Sequence, residues 1–124
     1  MANRSSARAP QVDVLARVDS WAGLLQSSLD VGLGVSVADA IEIMVMIASG
    51  TPGAGGAITW EGSLNNVDWF PLTSRIGTPA AIVQTALLAP TMVQERPLWV
   101  RPRVTAGDGT TTLVASVVTK RAIP

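Results

Sequence analysis

The chain contains no cysteine and no histidine. Without thiols there are no disulfides, thiolate nucleophiles or thiolate metal sites, and without imidazole the Ser-His-Asp constellation and most transition-metal sites are lost too. The missing cysteine does not pick a compartment, because it suits oxidising and reducing surroundings alike. Charge is also scarce: 15% of residues are charged, against a usual share of roughly 25%. Nine basic and nine acidic residues cancel, so no global field draws the chain to nucleic acid or to an anionic membrane, and neither is expected as a partner. The longest apolar run, AIEIMVMIA, carries Glu42 and is shorter than the roughly 20 residues of a spanning helix. It reads as a core strand. The polar, basic start MANRSSARAP has no apolar core behind it, so no secretion signal is expected, and the Asn3-Arg4-Ser5 sequon is taken as chance.

Apolar residues, by contrast, make up 48% of the 124 positions. A chain of this length fits one domain, expected over residues 11–124, which cannot hide half of its residues. The excess is read as surface meant for a partner, so self-association or assembly is expected. Residues 1–10 hold serine, alanine, Arg4, Arg8 and Pro10 with no bulky apolar residue after Met1. That composition does not fold alone and reads as an extended N-terminal assembly arm.

Periodicity points to strands. In the segment 12–31, Val12, Val14, Ala16 and Val18 alternate with Asp13, Leu15, Arg17 and Asp19, while Leu15, Val18, Ala22, Leu25 and Leu29 also match helical spacing. Gly23, Ser27 and Ser28 weigh against the helix, and the strand reading is preferred. Further on, Ile41, Ile43, Val45 and Ile47 share one face and Glu42, Met44, Met46 and Ala48 the other, which predicts a strand with a half-apolar outer surface. SGTPGAGGA then breaks regular structure. It is no phosphate cradle, because no Gly-Lys-Ser/Thr follows and the next segment reads as a strand.

The stretch ITWEGSLNNVDWFPLTS, residues 58–74, carries two tryptophans and a phenylalanine in a chain otherwise poor in aromatics. It reads as a hairpin with an Asn65-Asn66 tip, since asparagine tolerates left-handed backbone angles. Its structural set is Trp60, Gly62, Ser63, Asn65, Asn66, Trp69, Phe70 and Leu72. Core packing is the expected fate of the tryptophans. The competing use is a sugar platform, with Trp60, Trp69 or Trp99 stacking on a pyranose and Glu61 or Asp68 binding hydroxyls. A carboxylate pair of Glu61 with Asp68, or calcium held by Asp68 with Asn65 or Asn66, is formally open, but no spacing resembles a calcium loop. No catalytic residue, cofactor or metal is assigned.

RPLWVRPRVTAGDGTTTLVASVVTK closes the chain as a second hairpin turning at Gly107-Asp108-Gly109. Leu98, Val100 and Val104 are expected inward, with Pro102 on the same parity, and Trp99, Arg101 and Arg103 outward. Pro102 lacks an N–H, which predicts an edge strand or a bulge. Arg96, Trp99, Arg101 and Arg103, with Arg4 and Arg8 of the arm, are the candidate partner-interface residues. The fold class is therefore an all-β, antiparallel, jelly-roll-like sandwich.

WEGSLNNVDWFPL is similar to a G-S-x-D-x-x-x-W-x-x-L hairpin of small structural proteins of tailed double-stranded DNA bacteriophages, matching at Gly62, Ser63, Trp69 and Leu72. PLWVRPRVTAGDGTTTLVASVV resembles their closing hairpin at Trp99, Val100, Arg101, Arg103, Val104, Thr105 and Gly107. It departs at Asn65-Asn66, where Asp-Gly is frequent, and at Pro102. The resemblance spans roughly Asp39 to Thr119. A similar hairpin occurs in discoidin-like carbohydrate-binding jelly rolls. The phage resemblance implies a capsid decoration, or cement, protein on the head surface, made in the host bacterial cytoplasm. Its implied partners are the major capsid protein and further copies of itself, as a trimer. A head-tail connector or tail component, and a carbohydrate-binding module, are the alternatives.

Overall fold

The computed structural model of the chain describes residues 16–26, 29–50, 56–107 and 112–121. The expected N-terminal arm, with Arg4 and Arg8, lies outside the described residues, as do Asp108 and Gly109 of the closing turn. Nine strands follow in order: β1 (Ala16–Leu25), β2 (Val35–Ser36), β3 (Ala40–Gly50), β4 (Ala57–Ser63), β5 (Trp69–Pro71), β6 (Val83–Gln84), β7 (Thr91–Met92), β8 (Trp99–Ala106) and β9 (Thr112–Arg121). One sheet runs β1-β9-β3-β7, and the other runs β2-β8-β4-β5 with β6 also paired to β4. All of these pairings are antiparallel. With the short β6 set aside, the two four-stranded sheets have the strand order of a jelly roll, in which each strand lies in the opposite sheet from the one before it, except that β5 follows β4 in the same sheet. The expected closing hairpin is therefore not formed: β8 and β9 are consecutive but belong to different sheets, so the chain crosses between layers there.

The core forms where the alternating apolar faces meet. Ile43, Val45 and Ile47 of β3 and Leu113, Ala115 and Val117 of β9 pack against Ile58 and Trp60 of β4 and Val100 and Val104 of β8, all buried. Ile41 does not join them: it is 42% exposed, because the register between β3 and β9 shifts between Ala40 and Glu42 and the alternation restarts there. Leu98, also expected inward, is 40% exposed because it precedes the first paired residue of β8.

Of the ambiguous segment 12–31, Ala16–Leu25 is a strand and no helix occurs among its described residues; Val12, Asp13, Val14 and Leu15, like Ser27 and Ser28, lie outside them. Its apolar parity faces away from the core: Val18 is 61% exposed and lies opposite Val118. Trp21 faces inward instead, and a register shift between Trp21 and Leu24, with Gly23 at φ +70°, turns Leu24 into the core.

Pro102 lies neither on an outer strand nor at a bulge. β8 sits between β4 and β2, and its register with β4 shifts only between Ala57 and Ile58. The Pro102 carbonyl accepts a hydrogen bond from the Gly32 N–H at 2.9 Å. A residue's N and C=O point to the same side of a strand, so the missing N–H faces the irregular segment around Gly32, beyond the two-residue β2. The chemistry that forbids proline in a ladder is met by shortening the neighbour rather than by moving β8 to the edge.

On the opposite flank, Glu95 holds the connections between β5 and β8 together. Its carboxylate accepts from the Thr73 N–H at 2.8 Å and from the Thr73 hydroxyl. Burial pushes the Glu95 carboxyl up, but the Thr73 hydroxyl and N–H, with Glu95's own N–H, outweigh it and hold the group below the usual carboxylate value. A carboxyl depressed in the folded state adds stability that is present above its unfolded pKa of about 4.3 and lost as pH falls through the folded value. Glu95→Gln is therefore expected to lower stability at pH 7 by about 1–2 kcal/mol. The deficit should shrink below about pH 4, as read by urea unfolding across pH. A deficit independent of pH would remove the carboxylate from the explanation.

Candidate functional site

The outer face of the β2-β8-β4-β5 sheet gathers most of the residues the sequence singled out. Strand alternation sends Trp99, Arg101 and Arg103 outward from β8 while Val100, Pro102 and Val104 are buried. On β4 the same rule puts Trp60 at 0% exposure in the core and Glu61 on the outer face. Glu61 stands opposite Arg101, Thr59 opposite Arg103, and Ser63 between Trp99 and Trp69.

The two arginines converge on one carboxylate. Arg101 Nε donates to Glu61 Oε1 at 2.7 Å and Arg103 Nε to Oε2 at 3.1 Å, with the Glu61 side chain 19% exposed. The Arg101 guanidinium also lies 4.1 Å from the centroid of the Trp69 ring, a cation–π contact. Both guanidinium groups are engaged on the one Glu61 carboxylate, so the face presents an aromatic and guanidinium-rich area with its cations partnered. Arg96 is exposed in the connection between β7 and β8 and has no place in this ladder.

The hairpin tip is a longer reversal than an Asn-Asn turn, spanning residues 64–68. Ser63 Oγ accepts from the N–H groups of Asn65 and Asn66 at 3.1 and 2.8 Å. Asn65 Oδ1 accepts from those of Val67 and Asp68 at 2.9 and 2.8 Å. Asn66 takes the left-handed conformation at φ +61°, which asparagine tolerates. Asp68 accepts from Asn65 Nδ2 at 2.9 Å. The oxygens that a calcium ion would need are thus turned to local backbone and side-chain donors, and Glu61 and Asp68 are held by different partners. Among the described residues no group of three or more acidic residues is placed to hold a metal. At the base of the hairpin a Cβ on Gly62 would meet Leu72 Cδ2 at 2.7 Å and Pro97 Cβ at 2.8 Å, so only glycine lets the strand lie so close to its neighbours.

An open depression of about 470 Å³ lies beside the tip, walled by Gly32, Leu33, Gly34, Asn66, Trp69 and Arg101. Sequence reading missed this wall. A Cβ on Gly34 would lie 2.4 Å from Asn66 Oδ1 and 2.8 Å from Trp69 Cη2, and Trp21 Nε1 pins the segment through the Leu33 carbonyl at 2.7 Å. The spaced glycines of DVGLGV are the signal that could have found it. Trp69, the tryptophan at this depression, has Arg101 stacked on its ring, and Trp60 is enclosed, whereas a sugar platform needs an indole face open to a pyranose.

Among the described residues no helix is long and apolar enough to cross a membrane, which says nothing of β-barrels. No protein-family model matches the chain, and no curated protein matches it either. Among solved structures, the crystal structure of the SPBc2 prophage-derived protein YomS is similar, with a TM-score of 0.53 and 17% identity over 86% of this chain and 96% of that one. At that identity the likeness is one of fold, and it extends across nearly the whole of both chains.

Proposed function

We propose that this chain is a bacteriophage structural protein that decorates the outside of the capsid and stabilises contacts between major capsid subunits. The observation that carries this reading is the jelly-roll sandwich shared, over 86% of the chain, with a prophage-derived protein. The phage-like sequence motifs around Gly62-Ser63 and Trp99–Thr105 support it. Its chemistry fits a binding role: the arginines of the outer face are tied to Glu61, and Trp99 stays half-buried at the surface. A protein on the outer shell has no need of the basic surface that packed DNA would call for. Many copies, each bridging a subunit boundary, resist internal pressure although each contact is weak.

The test is co-sedimentation of the full chain with emptied phage heads that lack it. Saturable binding is expected. Failure to bind heads, with a large closed ring in solution, would move the protein to the neck or tail. Failure with direct retention on immobilised glycans would make it a carbohydrate-binding module.

A further inference from the structure

The sandwich manages its sheet edges unevenly. An unpaired strand edge invites another strand, and proteins blunt such edges by shortness, proline, charged side chains or bulges. Here β2, β6 and β7 are two residues long each, and β5 is three residues long and ends at Pro71. β1 is the exception in length, with ten residues and no proline; its two charges, Arg17 and Asp19, are of opposite sign, and its register shift lies beyond them, between Trp21 and Leu24. It pairs with β9 on one side. Among the described residues nothing pairs with the backbone of 16–20 on the other.

The outer face beside that edge is equally unfinished. Met92 lies opposite Met44, Met44 opposite Val118, and Val118 opposite Val18, a row of four apolar side chains across the whole sheet. It ends at the edge on Val18, 61% exposed. A sheet face left to water is ordinarily polar.

We infer that β1 pairs antiparallel with β1 of a second copy across a two-fold axis through Val18, joining the two four-stranded sheets into one of eight strands. Charge complementarity selects the occupant and the register. Residues facing each other in an antiparallel pair lie on the same face, so the axis must pass through a residue rather than between two. Centring on Arg17 or on Asp19 would set like charges against each other, which is destabilising. Centring on Val18 sets Arg17 opposite the partner's Asp19, Asp19 opposite the partner's Arg17, and Val18 opposite its own copy. The apolar row then runs unbroken through both molecules. Within one chain Arg17 already contacts Asp19 at 2.8 Å, and the side-chain exposures of 50% and 29% leave both accessible. This pairing rests on the fold rather than on the head-binding role, and it makes the chain a dimer where the phage resemblance implies a trimer.

The test uses the full chain, whose lack of cysteine makes one introduced thiol unique. Facing residues of an antiparallel pair have Cα atoms about 4.5–5.5 Å apart, within the range of about 4.4–6.8 Å that a disulfide spans. Val18→Cys is expected to give a disulfide-linked dimer on mild oxidation. Ala16→Cys should not, because the two copies of position 16 would lie about 14 Å apart along the strands. By light scattering the unmodified chain should have twice its own mass. Asp19→Arg should shift it at least tenfold in concentration towards monomer, and Arg17→Asp combined with Asp19→Arg should restore the dimer. Circular dichroism of each variant keeps misfolding apart from dissociation.

A monomer, a three-chain mass, or equal cross-linking at positions 16 and 18 would overturn the pairing. So would a monomer whose β1 amides resist exchange, which would assign the edge to another part of the same chain. Head binding by a chain that does not cross-link at Val18 would remove this inference and leave the decoration role. A Val18-linked dimer that ignores heads would do the reverse.

Discussion

Trp60→Ala is expected to destabilise the protein by about 3–5 kcal/mol, the range for deleting a large aromatic from a packed core. Trp60 has no exposed surface and stands at the centre of the sandwich. Its ring meets Trp21 edge-on, with centroids 5.7 Å apart and planes at 66°, and its Nε1 donates to Gln84 Oε1 at 2.8 Å. Against a typical domain stability of about 5–15 kcal/mol, the loss is about a fifth of the total at the least and the whole of it at the most. Urea unfolding followed by far-ultraviolet circular dichroism should show a lower midpoint at an unchanged slope. Trp60→Phe keeps most of the buried area but leaves Gln84 Oε1 without that donor, so it should cost only about 1–2 kcal/mol. A cost for Trp60→Ala below about 1 kcal/mol would mean that the indole is not packed as described.

Gln84→Ala is the second large effect, about 2–4 kcal/mol, because it strands several buried groups at once. Gln84 is 5% exposed and ties the two sheets together from β6. Its amide nitrogen donates to the Val45 carbonyl of β3 at 2.8 Å and to Thr91 Oγ1 at 3.1 Å, while its oxygen accepts from Trp60. Gln84→Glu separates hydrogen bonding from shape. An ionised carboxylate cannot donate to the Val45 carbonyl and would be enclosed, so its folded pKa should rise. A raised folded pKa means stability that is present at low pH and lost as pH rises through the folded value. The variant should therefore be weakest at neutral pH and recover below the ordinary glutamate value of about 4.3. A Gln84→Ala cost under about 0.5 kcal/mol, or a Gln84→Glu variant indifferent to pH, would reject the bridge. Trp60→Phe and Gln84→Ala should also be non-additive, since each removes one end of the same hydrogen bond.

Legibility followed the range of the interaction. The alternation of Ile43, Val45 and Ile47, and of Val100 and Val104, is enforced by a two-residue period inside one strand, so it is visible in the chain and is met in the core. The outward placement of Trp99, Arg101 and Arg103 was legible for the same reason. What they bind was not: Glu61 lies 40 residues from Arg101, and only the β4–β8 register brings them together. Gln84 gave no local signal, because a buried amide is told from an exposed one only by the partners that surround it.

From the sequence by itself follow the all-β class, the strand at β3, the hairpin of β4 and β5, and the absence of thiol and imidazole chemistry, since each depends on residue type or short-range spacing; the closing hairpin did not follow, because β8 and β9 joined different sheets. Tertiary structure decided the rest. It set the jelly-roll strand order, placed β8 inside its sheet despite Pro102, and turned Val18 outward on the end strand of its sheet. Those outcomes depend on which strands pair and in what register, and register is a relation between distant segments that no single segment encodes.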